Sequence, residues 1–255
     1  IDLGNGISLN NKGSSDGMII KYSANGEVEW AKAIGGTDSD EINSVAETRD
    51  GGYIVGGYFT SSIDLENEIN LSNKNYWYHN GMIIKYSSDG NTEWAQGTYG
   101  TQENEIDLVI ETSDGGYIAG GYFYSGIIDL GNGKILVNPK QDYNFEDGMI
   151  IKYSSNGEVK WGKEIGGTSH DRIKSVVENK KDNYIVGGYF DSSSIDFYNG
   201  KVLNNKGRSD GMILKVTAQM SVPEVQELEV DNKRKEFKIT TDVKEIDNIK
   251  GGSIS

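Results

Sequence analysis

The chain holds two histidines, His79 and His170, and no cysteine. Thiol catalysis, thiolate zinc sites, iron–sulfur clusters and disulfides are therefore excluded. A serine nucleophile elbow (Gly-x-Ser-x-Gly), a His-Glu-x-x-His helix and a phosphate-binding glycine loop are all missing. Carboxylates for glycoside hydrolysis are plentiful, yet spacing singles out no pair. The stretch TDSDE at 37–41 offers oxygens of the kind calcium takes. It becomes TQENE at 101–105 and TSHDR at 168–172 and lacks EF-hand spacing. No catalytic residue, metal site or cofactor is therefore expected. What remains is stacking chemistry. SNKNYWYHNG at 72–81 puts Tyr76, Trp77, Tyr78 and His79 in a loop of an otherwise Gly-, Ser- and Asn-rich chain.

Those residues sit in a repeated sequence. The motif DGMIIKYS returns with Met18, Met82, Met149 and Met212 equivalent, a period of 63–67 residues. Trp30, Trp94 and Trp161 follow the first three at a constant offset, and GGYF recurs at 56–59, 120–123 and 187–190. Ile-Asp recurs at Asp2, Asp64, Asp129 and Asp196. Several landmarks sharing one period define a repeat protein.

Each unit reads as four short strands, here a to d. Strand a is INSVAET or its counterparts, b is YIVGGYF, c is DGMIIKYS and d is EVEWAKAI at 27–34. Asn-Gly or Asp-Gly between c and d, and Asp-Gly-Gly between a and b, are hairpin turns. No helical periodicity occurs in the repeat. A unit this small is marginal alone, so units must share cores. The expected fold is all-β: a β-propeller of four-stranded antiparallel blades, each packed on its neighbours. Strand a is expected innermost and d outermost. The Gly-Gly pairs inside b predict close approach of backbones between blades. The order c-d, a-b-c-d, a-b-c-d, a-b-c makes about three and a quarter blades over 1–217, with the rest expected upstream of Ile1. The closing d strand is expected from that upstream part. Residues 218–255 break the pattern at Pro223 and read as a linker plus the first strands of a following β-domain, or as a strand closing the last blade.

The pattern W…GG…DGGYIVGGYF…DGMIIKY resembles the bacterial secreted β-propeller repeat family, over residues 1–217. The resemblance implies an extracytoplasmic protein and no particular ligand. The tail is similar to module junctions of Gram-positive surface proteins.

Positions that recur in every unit are read as serving the fold. The Ile-Asp aspartates are expected to form Asx-turns, and the tryptophans to pack blades. Positions that break the repeat are the better functional candidates. The b–c loops NNKGSSDG and NNKGRSDG of the outer units become aromatic in the middle two, with Tyr76, Trp77, Tyr78 and His79 in one and Tyr143 and Phe145 in the other. Tyr99 replaces a glycine of the Gly-Gly-Thr corner, and His170 is unique to its unit. In propeller topology these loops share one face. Such a ring-bearing face suits sugars or peptide side chains. The opposing expectation is that Trp77 folds back over the base of its own loop.

A net charge of −14 disfavours nucleic acid and anionic membranes as partners. The expected function is therefore a non-catalytic extracellular or cell-surface binding module that contacts a glycan or protein. A structural spacer and a carbohydrate-active enzyme are the alternatives.

Overall fold

The computed structural model describes residues 1–73, 77–138, 145–197 and 201–218. All helix or strand structure there is β. The chain divides into Ile1–Ala218 and Gln219–Ser255. Every described strand lies in the first unit. The second lies outside the described residues, and so do the expectations made for the tail.

The first sheet is the antiparallel pair β1 (Gly17–Tyr22) and β2 (Val28–Ile34). The second repeat supplies β3 (Asp40–Glu47), β4 (Tyr53–Phe59), β5 (Ile63–Asp64), β6 (Asn70–Leu71), β7 (Asn80–Tyr86) and β8 (Thr92–Gly97). The third supplies β9 (Tyr99–Gly100), β10 (Asn104–Glu111), β11 (Tyr117–Phe123), β12 (Ile127–Gly131), β13 (Lys134–Val137), β14 (Asp147–Tyr153) and β15 (Val159–Ile165). The last supplies β16 (Asp171–Lys180), β17 (Asn183–Phe190), β18 (Ser194–Asp196), β19 (Val202–Asn204) and β20 (Asp210–Thr217). The long strands pair as β3-β4-β7-β8, β10-β11-β14-β15 and β16-β17-β20. That is the a-b-c-d order read from the sequence, strand for strand.

Strands b and c are apolar at nearly every position because both faces of each sheet are covered. Side chains alternate between faces. Ile54 and Ile83 pack forward into a core shared with Ile106, Val109 and Met149 of the next sheet. Val55, Met82 and Ile84 pack backward into a second core with Ile19 and Ile34 of the preceding sheet. Each sheet thus contributes to two cores and owns neither.

The first glycine of a pair brings neighbouring sheets close, whereas the second, as at Gly57, lies against the a-strand carbonyl of its own sheet. A Cβ on Gly56 would lie 2.6 Å from Ile106 Cγ2 and 2.7 Å from Val109 Cγ1 of the next sheet. At the equivalent Gly187, with no further sheet described, the nearest atom is 3.8 Å away. The d-strand tryptophans lock the same neighbours at the periphery. The Trp30 indole lies over Gly90 in the next c–d turn and donates from Nε1 to the Ser88 carbonyl at 3.0 Å. Trp94 repeats this on Gly157 and the Ser155 carbonyl at 3.1 Å. Buried lysines tie c to the a–b turn. Lys85 pairs with Asp50 at 3.0 Å and Lys152 with Asp114 at 2.7 Å.

The b–c connections are more than the loops expected. Each carries a short hairpin, β5–β6, β12–β13 or β18–β19, and the bridge Asp2–Ser8 is its first copy. The recurrent aspartates serve it as Asx-turns. Asp2, Asp64 and Asp129 accept from the backbone N–H of Gly4, Glu66 and Gly131 at 2.9, 3.3 and 2.8 Å. The hairpin turn takes three successive positive φ values. Two copies supply Gly-Asn-Gly (4–6 and 131–133), but the second has Glu66, Asn67 and Glu68 at φ 74°, 53° and 64°. Side chains with a Cβ strain there.

Two stability outcomes follow from this geometry. Gly56→Val should destabilise by about 2 kcal/mol, because two stiff β-branched side chains must yield. Gly187→Val should be near neutral, and paired urea titrations compare the two. Glu68→Gly should stabilise by about 0.5–1 kcal/mol in the same assay, relieving left-handed strain.

Candidate functional site

Each a strand begins beside the b–c connection of the preceding sheet. The N–H of Asp40, Asn104 and Asp171 donates to the carbonyl of Ser15, His79 and Glu146 at 2.8, 3.2 and 2.8 Å. The carboxylate or amide side chain then gathers the surrounding corner. Asp40 accepts from Gly36 and Thr60 N–H at 2.7 and 2.9 Å, and Asp171 from Gly167 and Ser192 N–H at 2.6 and 3.2 Å. These recurring buried groups fix the backbone that presents the non-recurring ones.

Ser15, His79 and Glu146 occupy one repeat position, and Glu41, Glu105 and Arg172 another. His79 Nε2 lies 3.6 Å from Glu105 Oε2, across one sheet boundary. At the next boundary the carboxylate stands on the preceding sheet instead. Glu146 accepts from Arg172 Nε at 3.0 Å and meets His170 Nδ1. Tyrosines join the two pairs. Tyr58 lies tilted against His79 at 4.5 Å between ring centres and donates to Glu41 at 3.1 Å. Tyr122 donates to Glu105 at 2.6 Å, and the Arg172 guanidinium lies 3.7 Å over its ring. Phe145 meets His170 edge-on at 4.9 Å, with Tyr124 beyond at 6.4 Å.

The carboxylates are held ionised. Burial pushes Glu105 up, but the nearby His79 ring and donation from Tyr122 and Asn43 outweigh it, so it sits below its ordinary 4.5. Burial likewise raises Glu146, and Tyr124, His170 and Arg172 more than reverse that. The phenols move the other way. Burial, then donation to the neighbouring glutamates, pushes Tyr58 and Tyr124 up to about 12. The face therefore offers fixed hydroxyls, ring edges and paired charges.

Of the residues singled out in the sequence, His79, Phe145 and His170 belong to this network. Trp77 and Tyr78 precede His79 in the chain, and Trp77 is 87% exposed. Tyr99 is turned inward. It packs edge-on against Phe59 at 6.0 Å, and burial raises its pKa. Tyr76 and Tyr143 lie outside the described residues. The TDSDE stretch spends Asp40 on the corner, and no group of three metal-ligating side chains occurs among the described residues. Sequence reading missed Glu105, Tyr122, Tyr124, Glu146 and Arg172. The same test of broken repeat symmetry would have found Glu146 and Arg172, had it been applied to charge as well as to rings.

No family model matches the chain. An uncharacterized WD repeat-containing protein of Acanthamoeba polyphaga mimivirus is 26% identical over 157 residues, 58% of this chain and 11% of that protein. The regulatory protein FlaEY of Caulobacter vibrioides is 24% identical over 173 residues, 66% of this chain and 17% of that protein. The chain thus spans under a fifth of the length of these curated relatives. A crystal structure of a protein of unknown function from Bacteroides caccae aligns over 80% of this chain and 74% of that one, at 12% identity and a TM-score of 0.28. The WD-repeat name agrees with what the strands themselves display, an all-β protein of repeated antiparallel sheets.

Glu146→Gln should destabilise by about 2 kcal/mol at pH 7, because Arg172 loses its ionised partner. Glu146 has a lowered folded pKa, so its contribution is present above 4.5 and fades as pH falls through the folded value. Urea titrations at pH 7 and at about pH 3 should show the gap between variant and parent narrowing at the lower pH.

Proposed function

We propose that this chain is part of a bacterial secreted β-propeller acting outside the cell, and that the b–c face of its middle blades binds a glycan or an extracellular protein without catalysis. The observation that carries this reading is the exposure of Trp77. The other three tryptophans are half-buried, and two of them are fixed on the next sheet's turn. Trp77 stands out in solvent at 87%, with Tyr78 also exposed. Next in the chain is His79, which joins a network with Tyr58, Glu105 and Tyr122. Exposed rings adjoining a polar network suit stacking on a sugar face or a peptide side chain, with hydroxyls and carboxylates setting orientation.

Two features favour binding over hydrolysis. Glu105 and Glu146 are both held below the ordinary carboxyl range, whereas a glycosidase acid must stay protonated. Each is also spent on bonds across a sheet boundary.

Iodide should quench Trp77 strongly in the parent and leave little quenchable emission in Trp77→Ala. A Trp77→Ala/Tyr78→Ala variant should keep its unfolding midpoint. It should also lose at least about tenfold in affinity for any ligand found on glycan or host-protein arrays. Undiminished binding by that variant would sink the reading, and arrays that stay silent for the parent would favour a spacer.

A further inference from the structure

The two histidines of the b–c face are built in opposite ways. His79 turns inward. Its side chain is 19% exposed, and its Nε2 is buried without a hydrogen-bond partner among the described residues. His170 is more open, at 38%, and meets a glutamate that is only 5% exposed. Its Nδ1 is the nitrogen turned to Glu146. Arg172 at 3.0 Å and Tyr124 hold Glu146 ionised, so that carboxylate can only accept. Nδ1 of the neutral imidazole must therefore carry the proton, which leaves a lone pair on Nε2. That nitrogen takes no bond among the described residues, and unlike the Nε2 of His79 it is not buried.

Phe145 and Tyr124 both meet this imidazole edge-on, at 4.9 and 6.4 Å. The fold does not require a histidine there, since Ser39 and Glu103 hold the same repeat position. Phe145 stands where Tyr78 stands one sheet earlier, and the outer units have Ser14 and Arg208 at that place. Two neighbouring sheets thus offer a ring at one repeat position, on the order of 10 Å apart as packed sheets are.

We propose that His170 and Phe145 form a second subsite on this face, where Nε2 accepts a hydrogen bond from a sugar hydroxyl, so that the ligand is an oligosaccharide lying across two adjacent sheets. This subsite rests on the binding reading of Trp77 and Tyr78 and narrows its ligand to one class. A sugar offers C–H faces to rings and hydroxyl donors around its rim. A bound peptide gains most from an unpaired strand edge. Phe145 and His170 lie just ahead of β14 and β16 instead of within a strand.

Nitrogen-15 NMR of the ligand-free chain at about pH 8 should show His170 protonated on Nδ1 and bare on Nε2. The binding test uses an array of linear oligosaccharides of graded length. Phe145→Ala leaves the Glu146–Arg172 bond in place, and His170→Phe keeps a ring while removing the acceptor. Each should lose at least about tenfold in affinity for the longer glycans that the parent binds. Each should bind the shortest of them as the parent does, a split that a general loss of fold would not give. Three results overturn the subsite: a proton on Nε2 in place of Nδ1, unchanged affinity for long glycans in both variants, or equal losses at every length. In those cases binding that still depends on Trp77 and Tyr78 leaves the first station standing alone. A parent that ignores the array but binds a protein through Trp77 overturns the subsite only, and a parent that binds neither removes both.

Discussion

A single four-stranded sheet of this protein cannot bury what it carries. Its b and c strands are apolar on both faces, so each sheet needs a neighbour in front and another behind. Most other features answer that need. Glycine at 56 lets the next sheet's Ile106 and Val109 approach the backbone, and glycine at 120 admits Ile173. Tryptophan on d reaches over the following turn and spends its indole N–H there. Lysine on c is buried with its charge met by the a–b turn. Where no neighbouring sheet occurs among the described residues the same residues lie bare, as Ile213 does at 80% exposure against 1% for Ile83. Stability in such an array is a sum over sheets and the contacts between them.

The candidate site grows from the same boundaries. The a-strand N–H that reaches back to the preceding b–c connection brings two repeat positions together at every junction. The first junction has Ser15 near Glu41, the second His79 with Glu105, and the third Glu146 with Arg172 and His170. Because the carboxylate lies on the following sheet at one boundary and on the preceding sheet at the next, the two boundaries are not equivalent.

Much of the fold was legible because a repeat is its own comparison. The thirteen long strands, their order, the tight turns and the role of the glycine pairs all follow from aligning the chain with itself. The short hairpins β5–β6, β12–β13 and β18–β19 were not legible. Two or three residues per strand carry too little pattern, and the Gly-Asn-Gly turns were hidden in one copy by Glu66 and Glu68. Trp77 and Tyr99 were also indistinguishable beforehand. Both are aromatic departures from the repeat, yet one points to solvent and the other packs on Phe59.

The sequence by itself determined the period, the all-β class, the strand order and which positions depart from the repeat. These follow from local pattern and turn chemistry, which act over a few residues. Only the tertiary structure decided which departures face outward, which pair across a boundary, and which faces are left uncovered. Those outcomes depend on residues some 60 positions apart meeting between sheets, and no local signal encodes that meeting.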